Sequence, residues 1–228
     1  MDKCTMTSDC MRVGSLFGPG NSLAREFLDE LDWAWEAIPL IGSYVERLAA
    51  ELDASEYEIR PDNVWVHKTA VVAPSAFIGA NVIIGANAEV RHCAFVRNNA
   101  IVGNDAVVGN STELKNVILF DAVQVPHYNY VGDSVLGFKS HFGAGVITSN
   151  VKSDCSLVSV CCCGEFIETG LKKFGAILGD SVEIGCNAVL NPGTVIGQNA
   201  TVYPLSMVRG FVPASSIYKK QGEIVEKR

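Results

Sequence analysis

The sequence predicts a mainly β protein organised around a parallel β-helix, with a short helical segment ahead of it and one hairpin projecting from it. Three observations carry that expectation. Aliphatic residues recur every six positions at Val66, Val72, Ile78, Ile84, Val90, Val96, Val102, Val108 and Leu114. A small or β-branched residue sits four places on in each unit, at Ala70, Ala76, Val82, Ala88, Ala94, Ala100, Ala106 and Thr112. Glycine often directly follows the aliphatic residue, as at Gly79, Gly85, Gly103 and Gly109.

A six-residue period matches neither the turn of an α-helix nor the simple alternation of a half-buried strand. It matches a coil in which each unit supplies one short strand and one corner. The aliphatic side chain fills the narrow interior, the small residue fits near the turn, and glycine relieves the corner backbone. One unit buries little alone, so stability requires stacking coil on coil. Three units close a coil, which places residues about 18 apart directly above one another.

This pattern divides the chain into a lead-in and helical segment (1–60), a β-helix (61–212) and a C-terminal tail (213–228). The register falters between Lys115 and Tyr130, resumes at Leu136, Phe142 and Thr148, and returns at Leu178, Ile184, Leu190, Ile196, Val202 and Val208. Residues 151–175 form an insertion. There the alternation of Leu157, Val158 and Val160, a Cys-Cys-Cys-Gly turn and Phe166-Ile167 predict a projecting β-hairpin. Ahead of the repeats, Leu23, Phe27, Leu28, Leu31, Trp35, Ile38, Ile41, Val45 and Leu48 recur at helical steps interrupted near Pro39, which predicts two short helices. Trp33 and Trp35 read as packing residues. The sequence assigns these helices no role; capping the open end of the coil stack is one available to them.

With 48% hydrophobic and 19% charged residues, the chain has material for a core; its net charge of −7 excludes a nucleic-acid backbone binder. No stretch reaches the length that spans a bilayer, and Met1-Asp2-Lys3-Cys4 lacks the layout of a secretory signal, so a cytoplasmic protein is expected. The eight cysteines lack the spacing of a disulfide framework. Cys161, Cys162 and Cys163 would alternate across a strand and could not share one ion. His67, His92, His127 and His141 do not fall at stacking intervals, so no metal site is expected.

In a repeat scaffold the informative residues are those that break the rule. The corner position holds Arg91, Arg97 and Lys115 in three units. Arg97 and Lys115 are 18 apart and should stack on adjacent coils, where two cations repel unless an anion lies between them. Neutralisation by Glu113 is the other reading, and spacing alone leaves both open. Arg91 belongs to a different column and reads as solvated. His127 lies in the irregular run from Val125 to Tyr130, and His141 precedes Phe142-Gly143-Ala144-Gly145, where small residues admit a ligand close to backbone.

Three blocks in fixed order carry a resemblance: residues 109–115 (GNSTELK), 127–133 (HYNYVGD) and 143–150 (GAGVITSN). Together they resemble the C-terminal acetyltransferase domain of the bifunctional family that makes UDP-N-acetylglucosamine, over about Val64 to Val208. The resemblance implies a left-handed sense for the β-helix, against the usual right-handed crossover. It also implies a homotrimer with sites at subunit boundaries, acetyl-CoA as co-substrate, and acetylation of glucosamine 1-phosphate or a related sugar phosphate or nucleotide sugar.

Carried over by position, His127 matches the general base. Arg97, Lys115 and Lys173 match the phosphate-binding cations, with Glu113 beside them, and Tyr130 matches a further substrate contact. Ala144, Asn150, Val151, Cys186 and Pro204 match positions that contact acetyl-CoA. His141 stands in place of a sugar-contacting Asn and Cys186 in place of a Ser. The hairpin is longer than the family's loop, and Lys219 or Lys220 is the nearest counterpart of its C-terminal basic residue. The nucleotidyltransferase domain and its phosphate loop have no counterpart here, so that activity is not expected. Two rival readings stand beside acetyl transfer to a sugar 1-phosphate: a non-catalytic sugar-nucleotide-binding or regulatory protein, and an acetyltransferase for another acceptor.

Overall fold

The structure is a computed structural model, and it describes residues 8–20, 22–162 and 164–227. Its frame is a parallel β-helix whose inward side chains form three vertical columns. The first runs Val66, Ile84, Val102, Leu119, Leu136, Leu178, Ile196, Val212, each residue paired in register with the next. Val72, Val90, Val108, Val125, Phe142, Ile184, Val202 and Tyr218 form the second. The third is Ile78, Val96, Leu114, Val131, Thr148, Leu190, Val208. Almost every member is fully buried, which is what interior packing demands of an aliphatic column.

The apparent stumble after Lys115 is a change of coil length. Val102 pairs with Leu119 and Leu119 with Leu136, each 17 residues on, so two coils shorten by one residue while the sheet continues unbroken. The insertion at 151–175 does contain the expected hairpin, Ser159–Cys162 paired antiparallel with Glu165–Glu168. Cys163 lies outside the described residues, as do residues 1–7.

The outward positions give the three faces different characters. On the first face Ile83, Ile101, Ile118, Val135, Ile177 and Val195 are all fully buried. They are covered by the N-terminal segment. It comprises a 3-10 turn (Ser8–Met11), α1 (Val13–Leu16), α2 (Arg25–Asp29), a 3-10 helix (Ala34–Leu40) containing Pro39, and α3 (Ile41–Glu51). The helix α3 packs on the strands Phe77–Ile84, Phe95–Val102 and Glu113–Leu119. Phe17 stacks on Phe120, and Trp35 on Phe174. The helices therefore roof one long face rather than cap an end, because that face is apolar on both sides. Each end of the stack is finished by an antiparallel strand, Tyr57–Arg60 on Val64–His67 and Glu223–Glu226 on Ser216–Lys220. The strand Ser216–Lys220 also pairs parallel with Thr201–Val202, so the coil stack extends past residue 212 into the tail.

The second face is mixed, with Glu89, Gln124, His141, Glu183 and Thr201 among its outward residues. On the third face Phe77, Phe95, Glu113, Tyr130, Ile147, Val189 and Met207 form one continuous outward register. Phe77, Phe95, Ile147 and Met207 are solvent-exposed there, flanked by exposed Tyr128, Tyr203 and Leu205. An apolar stripe of this length on an otherwise polar surface marks an interaction surface.

Candidate functional site

Two groups of the sequence-derived residues assemble, one at each edge of the third face. The first is a ladder along the corner between the second and third faces. There the backbone turns through positive φ at Ser111, Tyr128, Gly145, Asn187 and Leu205. Each of these N–H groups donates to a carbonyl one coil earlier: Tyr128 to Asn110, Gly145 to His127, Asn187 to Ala144, and Leu205 to Cys186. His127, Ala144, Cys186 and Pro204 therefore occupy successive rungs of one corner. The glycines beside them are required by this close stacking: a Cβ on Gly143 would meet Cys186 N at 2.6 Å, and one on Gly185 would meet Pro204 N at 2.4 Å.

His127 is exposed, and among the described residues its ring makes no hydrogen bond. Its backbone is fixed by Asn129, whose Oδ1 accepts from His127 N at 3.1 Å while Nδ2 donates to Gly143 O at 2.9 Å. The backbone N–H groups of Gly143 and Gly145 donate to Ile184 O and His127 O. Among the described residues Ala144 N–H remains without such a partner.

The second group gathers at the corner between the third and first faces. Arg97 and Lys115 do stack on neighbouring coils, and each meets a carboxylate. Arg97 Nη1 lies 3.1 Å from Glu113 Oε1, both side chains about half-exposed. Lys115 Nζ lies 2.8 and 3.0 Å from the two oxygens of Asp133, whose side chain is only 3% exposed. Asn116 Nδ2 and Asn150 Nδ2 also donate to Asp133. Asn150 Nδ2 reaches Tyr130 Oη at 3.3 Å as well. Burial, reinforced by the charge of Asp133, pushes the Tyr130 phenol up, so it stays protonated. Lys173 is exposed beside this corner, because Phe174 N donates to Asn150 O at 3.0 Å. The cation repulsion that suggested an anion is thus already offset by Glu113 and Asp133, so the pair alone is not proof of an anion site.

Asp133 ends a ladder that the sequence reading did not single out. Asn63, Asn81, Asn99, Asn116 and Asp133 all adopt positive φ, where a short polar side chain is tolerated. Asn63 Nδ2 donates to Asn81 Oδ1 and Asn81 Nδ2 to Asn99 Oδ1. Asn81 and Asn116 also donate to Gly42 O and Ile38 O, which ties the helical roof to the corner. The signal was present as asparagine recurring at coil intervals.

His141 joins neither group. It projects from the second face, beside Gln124 in register, with Nδ1 2.8 Å from Glu183 Oε2. Val151 belongs to the start of the insertion rather than to the corner ladder. Lys219 and Lys220 both pair with Glu223 in the terminal hairpin. Within one chain the two groups are separated by the width of the third face, five residues from His127 to Gly132, or on the order of 15 Å of extended backbone.

No protein-family model matches the chain. It is 34% identical over 119 residues to the "Bifunctional protein GlmU" of Methanococcus vannielii, covering 52% of this chain and 28% of that protein. It is 36% identical over 109 residues to the "Bifunctional sugar-1-phosphate nucleotidylyltransferase/acetyltransferase" of Sulfurisphaera tokodaii, covering 48% of this chain and 27% of the other. The match therefore spans less than a third of the length of these relatives. Among solved structures, the chain is similar to AntD, an N-acyltransferase from Bacillus cereus crystallised with dTDP and coenzyme A. That likeness has 17% identity and a TM-score of 0.40, over 73% of this chain and 81% of that one.

Proposed function

We propose that this chain, a relative over half its length of the bifunctional GlmU-type proteins, is an acetyl-CoA-dependent acyltransferase for the amine of an amino-sugar 1-phosphate. The observation that carries this reading is the placement of two half-sites on opposite edges of one exposed apolar face. A copy that packs this face against another chain's brings the His127 ladder of one opposite the cation corner of the next. The same packing removes Phe77, Phe95, Ile147 and Met207 from water. A closed homotrimer satisfies this heterologous contact in every copy.

In that arrangement acetyl-CoA lies along the corner formed by Ala144, Cys186 and Pro204 of one copy, and Asn150 and Val151 face it from the opposite edge of the neighbouring copy. Arg97 and Lys173 receive the sugar phosphate. The Arg97–Glu113 pair is solvent-screened and readily exchanged for a dianion. Lys115 keeps two of its three N–H bonds on Asp133 and offers the third. Tyr130 donates its phenolic proton. The amine attacks the thioester carbonyl, its proton passes to the His127 imidazole, and the C–S bond breaks to release the CoA thiol, which takes that proton back. An imidazole suits such a task near neutral pH. Ala144 N–H is the backbone donor positioned for the developing oxyanion. The acceptor pocket takes no part of His141, which points from another face.

The test follows free thiol with acetyl-CoA and glucosamine 1-phosphate. His127→Ala and Arg97→Ala, each alone, should slow turnover by roughly a hundredfold or more. Co-expressed, they should regain a substantial fraction, since mixed assemblies contain boundaries with both half-sites intact. Full turnover by His127→Ala, or no recovery from two folded variants, overturns the reading.

A further inference from the structure

The hairpin insertion overhangs a cavity of about 430 Å³ that the transferase reading leaves unused except at its rim. Its floor is the corner between the third and first faces, two coils beyond Lys115. There Ser149, Asn191 and Arg209 stack through the pairings of Ile147 with Val189 and Val189 with Met207. Its roof is Ser159, Cys161 and Phe166 of the hairpin, and Val151, Lys152, Ser153 and Asp154 close one side.

From this lining we infer that the cavity is a second binding site, for a nucleoside diphosphate. The corner carries three cations, and they differ in a way that decides the matter. Arg97 and Lys115 are matched by Glu113 and Asp133, whereas Arg209 has no ion-pair partner among the described residues. Lys152, across the cavity, donates to the backbone carbonyl of Leu157 at 2.8 Å, and its charge also acts on the neighbouring Asp154 carboxylate. One carboxylate lines the space, Asp154, and it is turned into its own loop by Ser156 N and Oγ at 3.0 and 2.8 Å. An unpaired Arg209 with Lys152 facing the same space suits a diphosphate, which Arg209 is able to bind in bidentate fashion.

The remaining contacts fit a nucleoside. Phe166 is 69% exposed and lines this space, so its ring face is available to a flat partner. Stacking on an aromatic face is tolerant of base identity. Ser149, Ser153, Ser159 and the Asn191 amide supply donors and acceptors for a ribose and base edge. The volume falls within the ordinary range for small-molecule sites. Nucleoside diphosphate chemistry reaches a cell's proteins both as free or sugar-linked nucleotide and as the adenosine end of coenzyme A. The site does not depend on acetyl transfer and stands or falls separately from it.

The experiment is calorimetric titration of the full chain with UDP, ADP, coenzyme A and inorganic pyrophosphate. Saturable binding of UDP marks a free-nucleotide site, and binding of ADP and coenzyme A without UDP marks the cofactor's nucleotide end. Arg209→Ala should weaken either by about tenfold or more. Phe166→Ala should weaken the nucleotide by about fivefold or more while leaving pyrophosphate unchanged. Arg91→Ala, an exposed cation on another corner, should leave both unchanged. Absence of saturable binding of UDP, ADP and coenzyme A up to about 5 mM overturns the inference. So does affinity that survives both Arg209→Ala and Phe166→Ala.

Discussion

Lys115 and Asp133 face each other across one coil step, the ammonium within 3.0 Å of both carboxylate oxygens, and Asp133 is nearly sealed from water. Removing one member of a buried pair strands the other charge. Asp133→Ala should therefore lower the unfolding free energy by about 3 kcal/mol in urea titrations. Asp133→Asn keeps one acceptor for Asn116 and should cost about half as much. Wild-type stability in Asp133→Ala would mean that the pair is not a structural element of the corner.

The apolar third face predicts self-association. Leu205 and Met207 are exposed, so Leu205→Asp with Met207→Glu should leave the circular dichroism of the chain unchanged. Light scattering should shift from an assembly to single copies, and acetyl transfer should fall in parallel. A double variant that stays assembled would place the contact on another face.

Coil stacking sets a strict size limit at some corners. A Cβ on Gly109 would lie 1.6 Å from the Pro126 carbonyl oxygen, which belongs to backbone and cannot step aside. Gly109→Ala should cost about 3 kcal/mol or more. Gly14→Ala, with nothing within 4 Å, should change stability by no more than about 0.5 kcal/mol. Thermal melts of the two variants distinguish a stacking constraint from a general intolerance of alanine.

Acid dependence provides a further check. Burial pushes the carboxyls of Asp121 and Asp180 above the ordinary 3.8, against the backbone N–H groups of Asn104, Gly18 and Phe138 that pull them down. A raised folded-state value means the folded chain holds the proton more tightly than the unfolded chain. The resulting stability is complete below 3.8 and is lost as pH rises through the elevated values. Asp121→Asn with Asp180→Asn removes this contribution. Wild-type stability minus that of the double variant should fall from about pH 4 to pH 7. A difference that stays constant or rises would show that the carboxyls are not raised.

Much of this architecture was legible in the sequence because a repeat writes the same constraint many times. The columns headed by Val66, Val72 and Ile78, the hairpin in the insertion, and the adjacency of Arg97 and Lys115 all follow from counting. The roofed face was also written there, as the doublets Ile83-Ile84, Ile101-Val102, Ile118-Leu119, Val135-Leu136, Ile177-Leu178 and Val195-Ile196. A strand apolar on both sides is buried on both sides. That rule identifies the helices as a roof, where attention to the open end suggested a cap. The partner of Lys115 was harder to see. Asp133 lies 18 residues on in a region where the coil has shortened to 17, so its side chain meets Lys115 from the next corner position. His141 was misleading for a related reason: sequence proximity to the Gly143–Gly145 corner says nothing about which face a side chain leaves from.

The two antiparallel end strands bear on how such a chain avoids polymerising. A stack of coils is an open template at top and bottom, ready to accept another copy by continued parallel pairing. Here the reversals at Tyr57–Arg60 and Glu223–Glu226 present backbone running the wrong way for that addition. They also present charge, through the Glu58–Arg60 pair at one terminus and Glu223 with Lys219 and Lys220 at the other. Parallel addition along the axis is obstructed on one face at each pole, and the third face leaves sideways packing open for association.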